Sequence, residues 1–488
     1  MTLTNAIRTA NSSLASHSQQ ISNISRNISG IGDPTYVRRD SSIHTALFGS
    51  TRVETQRYVN QSILTATIGS GADAEYSAVV ASGLDRIATL QSKGNFAFSP
   101  AKLVGDLQKM TEFAAAAPSD GAALTSLIES ARTMASALNS SYDEILTMKE
   151  DADKQIQQSV NTINSLLAEI KEVNDTIVNA TKVGKEAFDS LDVRDQLVDK
   201  LSREIGIKVV PGENNDIILT TNGGALLFEG NPRSVTFQQT PSYGPLSTGG
   251  ELRVDGVTVT GPNALLGADS GKIAGHFEMR DSVLTGQQNQ LDEVARGLVE
   301  LFSETDQTGG GKPPLAGLFT WAGGPAVPAS GALESGIAST IRLNPLVDPQ
   351  LGGDPAFIRD GALNGDADYL YNTDGGVSFS DRLYNLAAAF DVGTTFDTAA
   401  GLTASQSLNG FVASSADSLN AQRASALTDY EYRTELATQF KQSLQSESGP
   451  NLDYEMSRLL EVERAYQASA QLLKAVDEMF DVLLSTAA

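Results

Sequence analysis

At both ends of the chain, apolar residues recur in alternating steps of four and three. Leu3, Ile7, Ala10, Leu14, His17, Ile21, Ile24 and Ile28 form one such series; Leu459, Val462, Tyr466, Ser469, Leu473, Val476, Phe480 and Leu483 form the other. This alternation holds a narrow seam on one side of an α-helix and calls for a partner helix. Chain ends ordinarily fray. Two amphipathic ends with little else to bury their seams predict a protein packed beside copies of itself. His17 and Ser469 are the weak positions in these seams, suited to keeping the helices soluble before they are packed.

The pattern between the ends divides the rest. Gly30, Gly32 and Asp33-Pro34 stop the first helix. Residues 36–56 alternate apolar and polar side chains over short stretches and predict extended structure. Helical spacing returns from Arg57 to about Leu90. It runs again from Ala122 to Ala180 through Leu138, Tyr142, Ile145, Ala152, Ile156, Ile163, Leu167, Ile170, Val173 and Ile177, a length that suits a rod-like bundle. Asp192 to Ile205 continues in helical spacing. From Gly206 the period shortens into β-rich runs broken by Pro-Gly, Asn-Asn-Asp and Asn-Gly-Gly, which are hairpin signals, and Asp255-Gly256 is another. Residues 272–305 are helical in pattern, Gly- and Pro-rich loops with short strand candidates follow to about 376, and 381–446 return to helix. Gly449-Pro450 sets off the last tract. The predicted architecture is an α+β multidomain chain with terminal coiled-coil helices, a long helical bundle domain and an inserted β-rich domain. Its expected divisions are 1–44 with 447–488, 45–205 with 377–446, and 206–376, with helix 272–305 free to pack on the helical domain.

A length of 488 residues fits about three domains at ~150 residues each. The net charge of −24 argues against a nucleic-acid partner, which needs a concentrated basic face. Residues 1–45 carry Arg8, Arg26, Arg38 and Arg39 against Asp33 and Asp40, whereas residues 451–488 carry seven acids against Arg458, Arg464 and Lys474. Opposite signs favour pairing of the two ends, though each exposed charge pair contributes little. The absence of cysteine excludes disulfides and thiolate chemistry and leaves the compartment open. Residues 1–30 lack a basic start followed by an apolar run, and no apolar stretch approaches the ~20 residues that cross a bilayer. The expectation is a soluble protein without a membrane partner, either cytoplasmic or exported without a cleaved signal.

Candidate chemistry is sparse. His17, His44 and His276 lie far apart with no metal-binding spacing, and His17 sits on the first seam. The run Thr308 to Lys312 superficially resembles a phosphate loop, but Pro313 stands where Ser or Thr should hold magnesium. Asp374-Gly375-Gly376 lacks the spaced oxygens of a calcium loop. Asp192, Asp195 and Asp199 share a helix face with Arg194 and Lys200 beside them, which predicts a solvated charged face. No Ser-His-Asp or G-x-S-x-G arrangement occurs. No catalytic, cofactor-binding or metal residue is expected, and the chain is not expected to be an enzyme; an enzyme would need convergent carboxylates within 206–376.

Several segments resemble one family. Ser25-Arg26-Asn27-Ile28-Ser29 and Pro34-Thr35-Tyr36-Val37-Arg38 are similar to the "S-N-N-I-A-N … T-P-G-Y-x-R" signature of the axial proteins of the bacterial flagellum, with Arg26, Ser29 and Thr35 departing from it. Asn451-Leu-Asp453-Tyr-Glu455-Met456, Ala465 to Ala470 and Asp477-Glu478-Met479 resemble that family's "N-L-D-E-E-M … A-Y-Q-A-S-A … D-E-M" ending. Leu191-Asp-Val-Arg194-Asp195 with Leu201-Ser202, and Gly271 to Gly275 with Arg280-Asp281, Leu291-Asp292 and Ala295, resemble the hook-associated proteins of the hook–filament junction. The resemblance spans nearly the whole chain. It implies a structural subunit exported unfolded through the flagellar type III apparatus, secreted to the flagellum and placed between the hook protein and a second hook–filament junction protein. It also implies that the terminal helices pair as an inner-wall coiled coil and that an export chaperone covers the C-terminal helix from Tyr466 to Leu483. Other readings are another axial protein, such as the second junction protein or a filament subunit, and a secreted adhesin-like protein that uses the β-rich middle.

Overall fold

A computed structural model describes residues 3–45, 51–91, 99–261, 264 and 266–487. The chain opens with α1 (Leu3–Ser29), the hairpin strands β1 (Arg39–Thr45) and β2 (Thr51–Arg57), then α2 (Gln61–Gln91), α3 (Pro100–Ala116), α4 (Gly121–Lys182) and α5 (Phe188–Glu204). Short strands follow: β3 (Ile207–Pro211), β4 (Ile217–Thr221), β5 (Leu226–Glu229), β6 (Asn231–Pro232), β7 (Val235–Phe237), β8 (Leu252–Val254) and β9 (Val257–Thr258). After them come α6 (Lys272–Glu278), a π-helical turn (Met279–Val283) and α7 (Leu284–Leu301). The irregular stretch beyond holds β10 (Phe319–Thr320), α8 (Ile337–Thr340), β11 (Arg342–Leu343) and α9 (Phe357–Asp360). The last elements are α10 (Asp381–Ala389), β12 (Thr394–Thr395), β13 (Ser405–Gln406), α11 (Leu408–Ser448) and α12 (Leu452–Ala487).

The long helical tract expected from Ala122 to Ala180 is one continuous helix, α4. The alternation over 36–56 forms the β1–β2 hairpin, with Arg39 opposite Arg57 and Thr45 opposite Thr51; residues 46–50 of that run lie outside the described residues. Asp255 and Gly256 have φ of 46° and 82° between β8 and β9, the paired left-handed residues of a two-residue hairpin turn. Helix α3 went unanticipated, although Ser99 caps it by accepting from the Lys102 amide and Pro100 occupies its first turn. One expectation is corrected. Residues 381–446 are not continuous helix: the chain leaves helix between Ala389 and Leu408, where Phe396 turns inward and stacks on Phe411 with ring centroids 4.1 Å apart.

The chain divides into two compact units, 1–74 with 163–234 and 433–488, and 75–162 with 235–432. The first holds α1, the hairpin, α5, the antiparallel sheet β3-β4-β5-β6 and α12, together with the adjoining ends of α2, α4 and α11. The stretch 206–376 is shared, with 206–234 in the first unit and 235–376 in the second.

The second unit is built on one apolar cluster. Leu107 of α3 and Leu127, Ile128, Ala131 and Met134 of α4 join Val294, Leu298 and Val299 of α7 and Leu383 of α10 in it. Phe302 sits edge-on to both Phe319 and Phe390, at 5.4 and 5.8 Å. A Cβ on Gly275 would lie 2.8 Å from the Val79 Cβ and 3.0 Å from the Tyr76 carbonyl, so only glycine lets α6 approach α2 this closely. Several buried charges of this unit are held by hydrogen bonds and ion pairs. Asp292 accepts from the Gly336 and Ala338 amides at 2.9 Å. Arg296 of α7 pairs with Glu293 and Glu300 and donates to the Thr395 carbonyl. Asp153 of α4 holds Arg280 and accepts from the Tyr243 hydroxyl and the Thr240 amide.

Candidate assembly site at the paired chain ends

The two seams meet within one chain. Asn27, near the end of α1, donates to Glu455 in the first turn of α12, and the two helices then stay in contact along their lengths. They therefore run antiparallel. Ala10, Ile24, Val462 and Val476 are buried, and Ile7, Leu14, His17, Ile21, Ile28, Leu459, Ser469, Leu473 and Phe480 are half-buried. Tyr466 is exposed, and the side chains of Leu3 and Leu483 lie outside the described residues. The polar seam positions are partnered locally, with His17 Nδ1 3.3 Å from Gln20 Oε1 and the Ser469 hydroxyl donating to the Ala465 carbonyl.

α12 carries a second apolar line that α1 does not cover. Ala465, Ala468, Leu472, Ala475, Met479 and Val482 run beside the first seam in steps of 3-4-3-4-3. Leu472, Met479 and Val482 are 50–64% exposed.

The sequence reading missed the other side of α1, because its residues are polar. Ser16, Gln20, Asn23 and Asn27 are all buried and face the hairpin. Ser16 bonds the Thr51 hydroxyl, Gln20 donates to the Ser41 carbonyl, and Asn23 donates to the Ser41 and Thr55 hydroxyls. Asn27 donates to the Arg39 carbonyl and accepts from the Arg39 amide and the Tyr36 hydroxyl. A buried polar group costs free energy unless it is bonded, so a stripe of them works only against matching partners. The one available signal was the 4-3-4 spacing of these polar residues.

Arg39 and Arg57 in turn clasp α5. Arg39 is bonded to Asp189 and stands 3.6 Å from Asp192, while Arg57 reaches Asp192 at 2.8 Å and Asp195 at 2.7 Å. The solvated face expected at Asp192 is therefore corrected: it is buried, and burial pushes its carboxyl above the usual carboxylate range despite the two arginines. Arg194 turns away from these acids and donates to Asn174 and the Asn215 carbonyl. Burial lowers its affinity for the proton. Glu455, also buried, has its carboxyl raised by desolvation.

The other sequence candidates gather no site. Lys312 pairs with Asp366 and Asp368 on an exposed loop, and His44 lies 3.4 Å from Glu54 at the surface. Among the described residues no group of three or more His, Asp or Glu converges as for a metal, and no helix is long and apolar enough to cross a membrane.

Long helices, chain ends joined in one antiparallel pair and an uncovered apolar line on that pair define a structural protein that builds by helix packing. Residues 100–313 match the family described as the flagellar hook-associated protein FlgK helical domain, and residues 441–486 match the flagellar basal body rod FlgEFG protein C-terminal family. Flagellar hook-associated protein 1 of Escherichia coli is 25% identical over 69% of this chain and 72% of its own length. That of Bacillus subtilis is 23% identical over 72% and 69%. The solved flagellar hook junction protein FlgK of Burkholderia pseudomallei shares the fold, with a TM-score of 0.58 and 13% identity over 80% of this chain and all of its own. The chain is thus similar to flagellar hook-associated protein 1 across 69–72% of its length. It is a structural component of the flagellum at the hook–filament junction, assembled among the other axial proteins.

Proposed function

We propose that this subunit assembles with copies of itself by burying the face of α12 that α1 leaves open. The observation that carries the reading is the exposed line of Leu472, Met479 and Val482 beside the paired seam. Monomeric proteins rarely leave such a contiguous apolar strip in water. The division into terminal coiled coil (1–44 with 447–488), helical domain (45–205 with 377–446) and insert (206–376) belongs to the same reading, with the coiled coil at the inner wall. The hook protein lies on one side of the zone and a second hook–filament junction protein on the other. Before export through the type III apparatus, a chaperone covers the seam from Tyr466 to Leu483, and the same apolar strip supplies its contact.

The test is to place acid on the strip with the variant Leu472→Glu with Met479→Glu, whose α1–α12 seam is untouched. Helix content is expected to persist while electron microscopy of flagella shows bare hooks, as it should for deletion of residues 459–488. Normal junctions in cells carrying the two glutamates would overturn the reading.

A further inference from the structure

We infer that Asn27 and Glu455 set the register in which the two terminal helices pair. The apolar seams cannot do this alone. A slide of seven residues replaces Leu459 by Tyr466, Val462 by Ser469 and Leu473 by Phe480, and on α1 it replaces Leu14 by Ile21 and Ile21 by Ile28. A heptad pattern is nearly degenerate under such a slide, and a single polar position is what breaks the degeneracy.

Asn27 is 1% exposed, and both atoms of its carboxamide are fully used. Nδ2 donates to the Arg39 carbonyl at 2.9 Å and to Glu455 Oε1 at 3.0 Å. Oδ1 accepts from the Arg39 amide and the Tyr36 hydroxyl, both at 3.0 Å. Three of these four bonds come from the segment between α1 and β1 and from β1 itself, so the amide is aimed before α12 arrives and has one free donor to offer. Glu455 is likewise 1% exposed. One turn on, Arg458 donates to the Ser41 carbonyl at 2.7 Å and pairs with Asp40 at 2.6 Å. A slide of seven would set Val462 against the Asn27 donor and carry Glu455 to a site without one. A buried donor and a buried carboxylate would then both lack partners. The inference concerns pairing within one chain. It rests on the assembly reading only for its consequence, that a slid pair presents the Leu472–Val482 strip at the wrong height.

The chain has no cysteine, so engineered thiols are the only ones present. Counting outward along antiparallel helices, six residues back from Asn27 to Ile21 and seven forward from Glu455 to Val462, brings these two seam positions within one residue of facing each other. Oxidation of the Ile21→Cys, Val462→Cys protein should cross-link it within one chain, whereas the Ile28→Cys, Val462→Cys protein, which reports the slide of seven that sets Val462 against Asn27, should not. Adding Asn27→Leu with Glu455→Leu removes both polar partners together. Helix content by circular dichroism should hold, and both cysteine pairs should now close to comparable yield. Closure of the Ile21–Val462 pair alone in that background overturns the inference. Should the double leucine change cost helix, Glu455→Gln decides, since glutamine keeps the accepting oxygen and must keep the slid pair open; a slid cross-link there also overturns it. These are measurements on the isolated chain. Failure of the assembly reading would appear only as normal junctions in cells carrying the strip glutamates.

Discussion

The two units bury different kinds of surface. In the second, helices α3, α4, α7 and α10 share one cluster of Leu, Ile, Val, Met and Phe, with buried ion pairs such as Arg296–Glu293 beside it. In the first, the face of α1 toward the hairpin is Ser, Gln and Asn, and α5 is joined to the hairpin by arginines and aspartates. Apolar packing accepts any side chain of about the right size, whereas a buried amide accepts only its partner. The first unit therefore trades tolerance for a single way of fitting, which suits the part in which the two terminal helices must find each other. Charge differs in the same sense. The second unit has 16 Lys and Arg against 34 Asp and Glu, and the first has 19 against 25. Three quarters of the net charge thus belongs to the second unit, which leaves less like-charge repulsion within the unit that holds the paired terminal helices.

The largest expected effect follows from the apolar cluster. Phe302→Ala should cost the second unit roughly 3–5 kcal/mol, because the ring leaves a cavity between Phe319 and Phe390 that the surrounding helices cannot close. Ile24→Ala on the terminal seam should cost less and act locally. Hydrogen exchange read by mass spectrometry should show lost protection in α1 and α12 and an unchanged second unit. A shift of the second unit's unfolding midpoint by Ile24→Ala would break the comparison.

Next comes a difference in response to pH. Burial pushes the Asp292 carboxyl up to about 6 from its ordinary 3.8, although the Gly336 and Ala338 amides oppose the shift. The folded chain then holds this proton through a range where the unfolded chain has lost it. The associated stability is present below pH ~4 and is lost as pH rises through about 6, about 3 kcal/mol in all. Lys149, whose ammonium burial lowers it to about 8, acts at the other end: stability rises as pH climbs from about 8 toward 10.5. Asp292→Asn should remove the acid-side slope and cost roughly 2 kcal/mol, since an amide offers one accepting oxygen to two backbone donors. Urea midpoints at a series of pH values would show this, and a slope that survives the substitution would assign it to another group. In the first unit, Asp192→Asn should cost roughly 1–2 kcal/mol and expose the hairpin amides to exchange, since Arg57 keeps Asp195 and Arg39 keeps Asp189.

The contrast between the units also explains what the sequence could tell. The terminal seams, the length of α4 and the Asp255-Gly256 turn were legible because periodicity and left-handed backbone leave a mark on residue type. The stripe of Ser16, Gln20, Asn23 and Asn27 was not, because a polar residue facing a hydroxyl is written like one facing water. The same ambiguity hid Asp192. Its neighbours along the chain, Arg194 and Lys200, suggested a solvated face, while the arginines it pairs with come from 135 or more residues away. Phe396 and the break in helix between Ala389 and Leu408 were hidden for a further reason: a short hairpin turned inward by one ring has no period of its own. Several residues that carried the family resemblance, Asn27, Asp192, Arg280, Asp292 and Glu455, are those that hold these polar networks.

The smallest expected effect tests whether the soft positions in the seam serve the paired or the unpaired state. His17 and Ser469 satisfy themselves, through Gln20 and through the Ala465 carbonyl, and neither bond reaches across to the other helix. Replacing both by Leu therefore removes no bond between α1 and α12 and adds apolar area to a half-buried seam. Stability of the pair should change by no more than about 1 kcal/mol, in the stabilising direction. Solubility should respond more strongly. Before the helices are packed, eight apolar positions in each series would stand in water instead of seven, with no polar interruption. Light scattering of the freshly diluted chain should show earlier association for the His17→Leu, Ser469→Leu variant. A variant as soluble as the parent would place the safeguard against premature packing elsewhere, on the acidic residues Asp477, Glu478 and Asp481 of α12.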